Sequence, residues 1–166
     1  MNAASRRTAR GAAFLGLALA LSYLEFLAGV SGPVPGVKLG VANIAVLLAL
    51  YADGLPLAAA VTTARVVLAG FLFSGPMSIV FGLAGAWLSL LVMVLLKKTS
   101  WFSVTGVSMA GGACHNLGQL LAARVVLDSA AVFGALPPLL LVGASAGALT
   151  GFLSWLILNR LKGESI

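Results

Sequence analysis

Charge is what this sequence has least of. Only 8% of its 166 residues are Asp, Glu, Lys or Arg, and just four are acidic: Glu25, Asp53, Asp128 and Glu164. No two of those carboxylates are close in sequence, whereas enzymes that handle diphosphates with magnesium cluster them to hold the metal. The single cysteine, Cys114, excludes an intrachain disulfide and a Cys-cluster metal site, and it reads as a small packing residue. The single histidine, His115, lacks further strong ligands around it, so no metal site is expected. A G-x-x-x-x-G-K-S/T loop is missing as well, which excludes P-loop nucleotide hydrolysis by this chain. No Ser-His-acid or Cys-His constellation can be argued, although Ser22 or Ser108 can approach His115 in space, and the expectation is that the chain has no catalytic residues.

What is abundant is apolar. Hydrophobic residues make up 61% of the chain and the mean hydropathy is +1.11, more apolar surface than a soluble domain can bury. Crossing a hydrocarbon core of roughly 30 Å takes about 20 helical residues, so about six spans use nearly the whole chain. Turn signals at Ser31-Gly-Pro-Val-Pro-Gly36, Asp53-Gly-Leu-Pro56, Ser74-Gly-Pro76, Lys97-Lys-Thr-Ser100 and Asp128 to Pro138 divide it. The expected fold is an all-α membrane protein, a bundle of six transmembrane helices at about 11–30, 39–51, 57–73, 77–96, 104–127 and 139–158. A basic segment, 1–10, precedes this 11–162 membrane domain and a short tail, 163–166, follows it. Arg6, Arg7 and Arg10 ahead of an apolar run imitate a secretory signal, but the run continues past Tyr23 without a convincing cleavage site, so it reads as a retained first helix.

The net charge of +6 does not point to nucleic acid. Most of the cations flank apolar runs, where basic residues mark the cytoplasmic side of a membrane protein. Arg6, Arg7, Arg10, Lys97, Lys98, Arg160 and Lys162 all fall on one side of a six-span chain, which places both termini in the cytoplasm.

Two stripes of small residues at four-residue spacing suggest close helix contacts. Gly143, Gly147 and Gly151 read foremost as internal packing, and Ala12, Gly16 and Ala20 as a surface on which another subunit docks. Polar residues inside spans are costly enough to suggest function; here they are Glu25, Asn43, Arg65, His115, Asn116, Gln119 and Arg124, with Lys38 at the entry to the second span. Glu25, about 15 residues into the first helix, lies roughly 20 Å along it. With His115 near the midplane and Gln119 one turn above it, the set converges on an outward-facing pocket roofed by Gly32 to Gly40. Three cations, Lys38, Arg65 and Arg124, against one carboxylate, Glu25, would suit a ligand with net negative charge, or an amphipathic one. The structural alternative is that Arg124 and Lys38 snorkel to lipid headgroups, that Glu25 and Arg65 lock the fold, and that His115, Asn116 and Gln119 form an interhelical network.

Pro35-Gly-Val-Lys-Leu-Gly-Val-Ala-Asn-Ile44, Arg65-Val-Val-Leu68, the Gly82 to Lys98 helix and Ala113-Cys-His-Asn-Leu-Gly-Gln-Leu120 together resemble the Gx transporter family, often labelled heptaprenyl diphosphate synthase component I. The likeness runs from about Ala13 to Leu161. That family is similar to the substrate-binding S components of energy-coupling-factor (ECF) importers, six-helix proteins of the bacterial cytoplasmic membrane. The resemblance implies a transmembrane T subunit and two ATPases as partners, with ATP used by the partners and no cofactor in this chain. The Ala12-Gly16-Ala20 stripe is similar to the Ala-x-x-x-Ala docking motif of S components, with glycine in the middle. The synthase label implies instead a non-catalytic membrane subunit, because the aspartate-rich motifs of prenyl diphosphate synthases are missing.

Overall fold

The computed structural model describes residues 2–28 and 40–163. Lys38 and the expected roof short of Gly40 lie outside the described residues. All regular structure among the described residues is helical: α1 (Ala3–Leu27), α2 (Asn43–Ala52), α3 (Leu55–Ala69), α4 (Pro76–Thr99), α5 (Val104–Leu127) and α6 (Leu136–Gly163). A π turn, Gly70–Ser74, extends α3, and a 3-10 segment, Ala130–Ala135, precedes α6.

Local chemistry sets these boundaries. The Asn2 side chain caps α1 by accepting from Ser5 N–H at 2.8 Å, and Ser103 caps α5 through Gly106 N–H at 3.1 Å. Gly54 (φ 88°) and Gly75 (φ 82°) turn the chain in the left-handed region, each just ahead of a proline in the first turn of α3 or α4. In the π turn the Gly75 N–H reaches back five residues to Gly70 O at 2.8 Å.

Among the described residues four segments are long and apolar enough to cross a membrane: Ser5–Leu27, Leu55–Ser74, Pro76–Thr99 and Ala130–Arg160. The expectation of six spans is met only in helix number. α5 has 24 residues, but its glycines and its His115, Asn116, Gln119 and Arg124 dilute its hydropathy. α2 has 10 residues and is too short. The surface supports a lipid environment: Phe71, Leu141 and Val125 are 71–79% exposed, side chains that water would oppose.

α2 is the core. Every residue from Ile44 to Leu50 is buried, the mark of a helix enclosed on all sides. Its partners are α1, α3 and α6. Lys97 of α4 secures its C-terminal end, donating to Leu50 O at 2.7 Å with its ammonium 4.6 Å from the Tyr51 ring centroid. Arg10 of α1 pairs with Asp53 beside it at 2.9 Å. A lysine on a terminal carbonyl satisfies a group the helix cannot. Lys97→Met is therefore expected to lower stability by about 1–2 kcal/mol, read as a reduced unfolding midpoint in detergent, while Lys98→Met leaves it unchanged.

Glycine sets the remaining contacts. Gly70 lies against Ile79 and Gly82 against Val66, which brings α3 and α4 together antiparallel. On α5, Gly111 faces Met93 and Gly118 faces the Ala84 carbonyl of α4, whereas Gly112 lies against Gly143 of α6. Gly147 and Gly151 of α6 continue that contact against Ser108. α5 is thus clamped between α4 and α6 by backbone-to-backbone approach, so the α6 stripe is internal packing.

Candidate functional site

At the end of the molecule opposite Lys97 and Asp53, polar side chains from five helices meet a turn. Glu25, near the end of α1, is 7% exposed, and its Oε1 accepts the Gly40 N–H at 2.6 Å. Gly40 has φ 82°, a conformation open to glycine that aims this amide at the carboxylate. Three residues on, Asn43 opens α2 and accepts from Arg65 Nη2 of α3 at a long 3.4 Å. Arg65 is 6% exposed. The carboxylate that acts on its charge is Glu25, from beyond the 4.0 Å of a direct ion pair.

α5 contributes His115 and Gln119, 4% and 1% exposed. They reach this depth because α4 has Gly85 where they pass: a Cβ there would sit 2.5 Å from His115 O and 2.7 Å from Gln119 Cγ. Ser22, Gly40, Arg65, Ser78, His115 and Gln119, with Val66, Ala69 and Gly82, enclose a cavity of about 20 Å³, the space of a single water molecule. Arg65 Nε and Gln119 Oε1 are buried without a hydrogen-bond partner in the chain, and so is Glu25 Oε2. An unsatisfied buried polar group costs about 1–3 kcal/mol, more when charged, so a cavity with two of them on its wall and a third beside it, on the carboxylate that holds Gly40, is built to be completed by something else.

The structure thus brings together Glu25, Asn43, Arg65, His115 and Gln119. It does not bring in Asn116 or Arg124. Asn116 follows His115 on the helix and points 100° away, toward α6, where its Nδ2 donates to Leu139 O at 2.7 Å. Arg124 pairs with Asp128 one turn on at 3.1 Å, and Asp128 is 96% exposed. Lys38 lies outside the described residues. Ser22, which the sequence could place near His115, joins the wall with it, and so does Ser78, which no pattern singled out; Ser22 also precedes Glu25 by three residues and shares its face. Among the described residues no group of three or more potential metal ligands occurs. Ala12, Gly16 and Ala20 lie exposed along α1, and nothing stands within 4 Å of a Cβ built on Gly16.

Several apolar helices of spanning length, an apolar exterior and a polar cluster buried among the helices define a multi-pass membrane protein. The family model described as heptaprenyl diphosphate synthase component I matches residues 14–157, and the chain belongs to that family. No curated protein and no solved structure matches the chain.

Proposed function

We propose that this protein is the substrate-capturing subunit of an ECF-type micronutrient importer in the bacterial cytoplasmic membrane. In this reading all six helices form an S-component-like membrane bundle with both termini in the cytoplasm, and the cavity end faces outward. α2 and α5 complete the bundle, α2 packed on α1, α3 and α6 and α5 held between α4 and α6. The observation that carries the reading is the cavity, with buried polar atoms of Arg65 and Gln119 on its wall and of Glu25 beside it, bonded to the lining Gly40, that lack a partner in the chain. Glu25, Asn43, Arg65, His115 and Gln119 bind the ligand, with Lys38 at the entrance. Asn116 and Arg124 act from behind, by fixing α5 to α6 and by closing its outer end. The exposed Ala12-Gly16-Ala20 face of α1 docks on a transmembrane T subunit, and two partner ATPases supply the energy.

The test is native mass spectrometry of the detergent-purified protein beside Arg65→Met and Gln119→Leu. A stoichiometric small molecule on the wild type, lost from both folded variants, is the expected result. A wild type with no bound small molecule, before and after incubation with micronutrient mixtures, would sink the reading.

The family's description favours a second one, a non-catalytic membrane subunit of a prenyl diphosphate synthase. The described carboxylates are already engaged, Glu25 by Gly40, Asp53 by Arg10 and Asp128 by Arg124, which suits a subunit that leaves metal-diphosphate chemistry to its partner. Co-purification with a soluble prenyl synthase, with no small molecule in the cavity, is the outcome that reading expects.

A further inference from the structure

The end of the bundle opposite the cavity carries the largest excess of one charge in the chain. Two contacts gather α1, α2 and α4 there: Arg10 pairs with Asp53 at 2.9 Å, and Lys97 donates to Leu50 O at 2.7 Å. α6 reaches the same end, since Gly151 lies against Thr105 in the first turn of α5 and the helix runs on from there to Arg160. These contacts take up Asp53 and Lys97, while Arg7, Lys98 and Arg160 stay exposed. The side chains outside the description leave the sign of this end unchanged. Glu25 and Asp128 lie at the cavity end, Asp53 is paired, and the remaining carboxylate, Glu164, is offset in charge by Lys162.

We infer that this end binds the headgroups of anionic phospholipids, with Arg7, Lys98 and Arg160 supplying the charge. The surface is separate from the cavity and does not rest on the capture reading. Positive charge alone would suit an acidic protein equally; the aromatic side chains decide. Trp101, in the connection from α4 to α5, is 89% exposed. Trp155 of α6 is 42% exposed and stacks on Phe152 with 6.0 Å between ring centroids. Trp155 follows Gly151 by four residues and Trp101 precedes Thr105 by four, so the Gly151–Thr105 contact sets two indoles from separate elements at one level. An indole has an apolar body and a single N–H, and it settles where hydrocarbon gives way to headgroups. Lys98 at the end of α4 and Arg160 beyond Trp155 flank that level with long basic side chains that extend toward phosphate groups.

Near a negative membrane surface each Lys or Arg is worth about fivefold in affinity, so the three exposed cations together are enough to select among lipids. In the orientation proposed above this end faces the cytoplasm, the side on which a membrane carries its negative surface potential. Arg124 provides the contrast. It lies at the cavity end and is bonded to Asp128 at 3.1 Å, a cation already neutralised within the chain.

The test incubates the detergent-purified protein with phosphatidylglycerol and phosphatidylcholine in equal amounts and reads the retained lipid by native mass spectrometry. Quenching of tryptophan fluorescence by brominated forms of each lipid, with Trp101→Phe as the reference, reports the same preference at the indole. The wild type is expected to retain phosphatidylglycerol over phosphatidylcholine. Lys98→Gln and Arg160→Gln should each lower that preference about fivefold, with unchanged unfolding midpoints, and Arg124→Gln should keep it. Equal retention of the two lipids by the wild type overturns the inference, as does a loss in Arg124→Gln as large as in Lys98→Gln. Displacement of phosphatidylglycerol by a polyglutamate peptide or by inorganic phosphate at matched ionic strength, with no quenching specific to Trp101, assigns the charge to another partner and overturns it as well.

Discussion

Gly112→Ala is expected to strip the protein of much of its stability, although it adds a single methyl group. The new Cβ would overlap the carbonyl oxygen of Gly143 and stand 3.0 Å from its carbon and 3.3 Å from Gly147 Cα. All of these are backbone atoms, so no side chain can rotate out of the way. The strain is shared by both helices, because a Cβ on Gly143 would in turn meet Gly112 O at 2.5 Å and Asn116 Nδ2 at 2.8 Å. Overpacking of this kind costs about 1–3 kcal/mol and more where the backbone cannot give. In lipid, close van der Waals contact is itself the main attraction between helices, so parting α5 from α6 forfeits what held them. We expect the detergent unfolding midpoint to fall sharply in Gly112→Ala. Gly16→Ala, with nothing within 4 Å of its Cβ, should leave the midpoint where it was. Equal midpoints for the two variants would refute the clamped-helix description of α5.

Arg65→Met carries the largest expected effect on the site. The substitution keeps an unbranched side chain of moderate length and removes the one buried cation among the described residues. Two losses follow. Glu25 remains buried with the Gly40 N–H as its one hydrogen-bond donor among the described residues, and a charge at membrane depth without a countercharge costs on the order of 3 kcal/mol. The donor that a ligand acceptor would use also vanishes, and a charge-assisted hydrogen bond contributes about 1.5–3 kcal/mol, or roughly ten- to a hundredfold in affinity. Adding Glu25→Gln to Arg65→Met should restore stability, since the stranded charge goes, but not binding. Recovery of ligand binding in the double variant would show that the pair serves the fold alone.

Much of this architecture is legible in the sequence. Apolar runs cut by Gly- and Pro-containing turns, and once by the polar Lys97-Lys-Thr-Ser100, account for six helices. The two small-residue stripes have the same spacing and different fates. Gly143, Gly147 and Gly151 meet α5, whose Ser108 and Gly112 leave matching room, while Ala12, Gly16 and Ala20 remain exposed. Spacing states that a close approach is possible, and only the facing helix decides whether it happens.

The gathering of Glu25, Arg65, His115 and Gln119 follows from depth along alternating helices. Neighbourhood in sequence misled where two residues are adjacent: His115 and Asn116 look like one polar group, yet consecutive helical side chains diverge, and Asn116 bonds α6. The Arg124–Asp128 pair is an i, i+4 contact that the sequence spells out, and it removes Arg124 from the cation count. Lys97 on the Leu50 carbonyl joins residues 47 positions apart, and no local pattern announces it.

The shortness of α2 has a consequence for how the protein is made. Ten residues extend about 15 Å, half the hydrocarbon thickness. Released alone into lipid, such a segment would leave the unpaired backbone groups at both its ends without partners. In the finished protein Lys97 supplies one of those partners, from a helix synthesised more than 40 residues later. The insertion machinery therefore has to shelter α2, with α1 and α3 beside it, until α4 has emerged. Biogenesis of this protein is expected to proceed by retaining the first four helices as one unit rather than by passing each helix sideways into the bilayer as it appears.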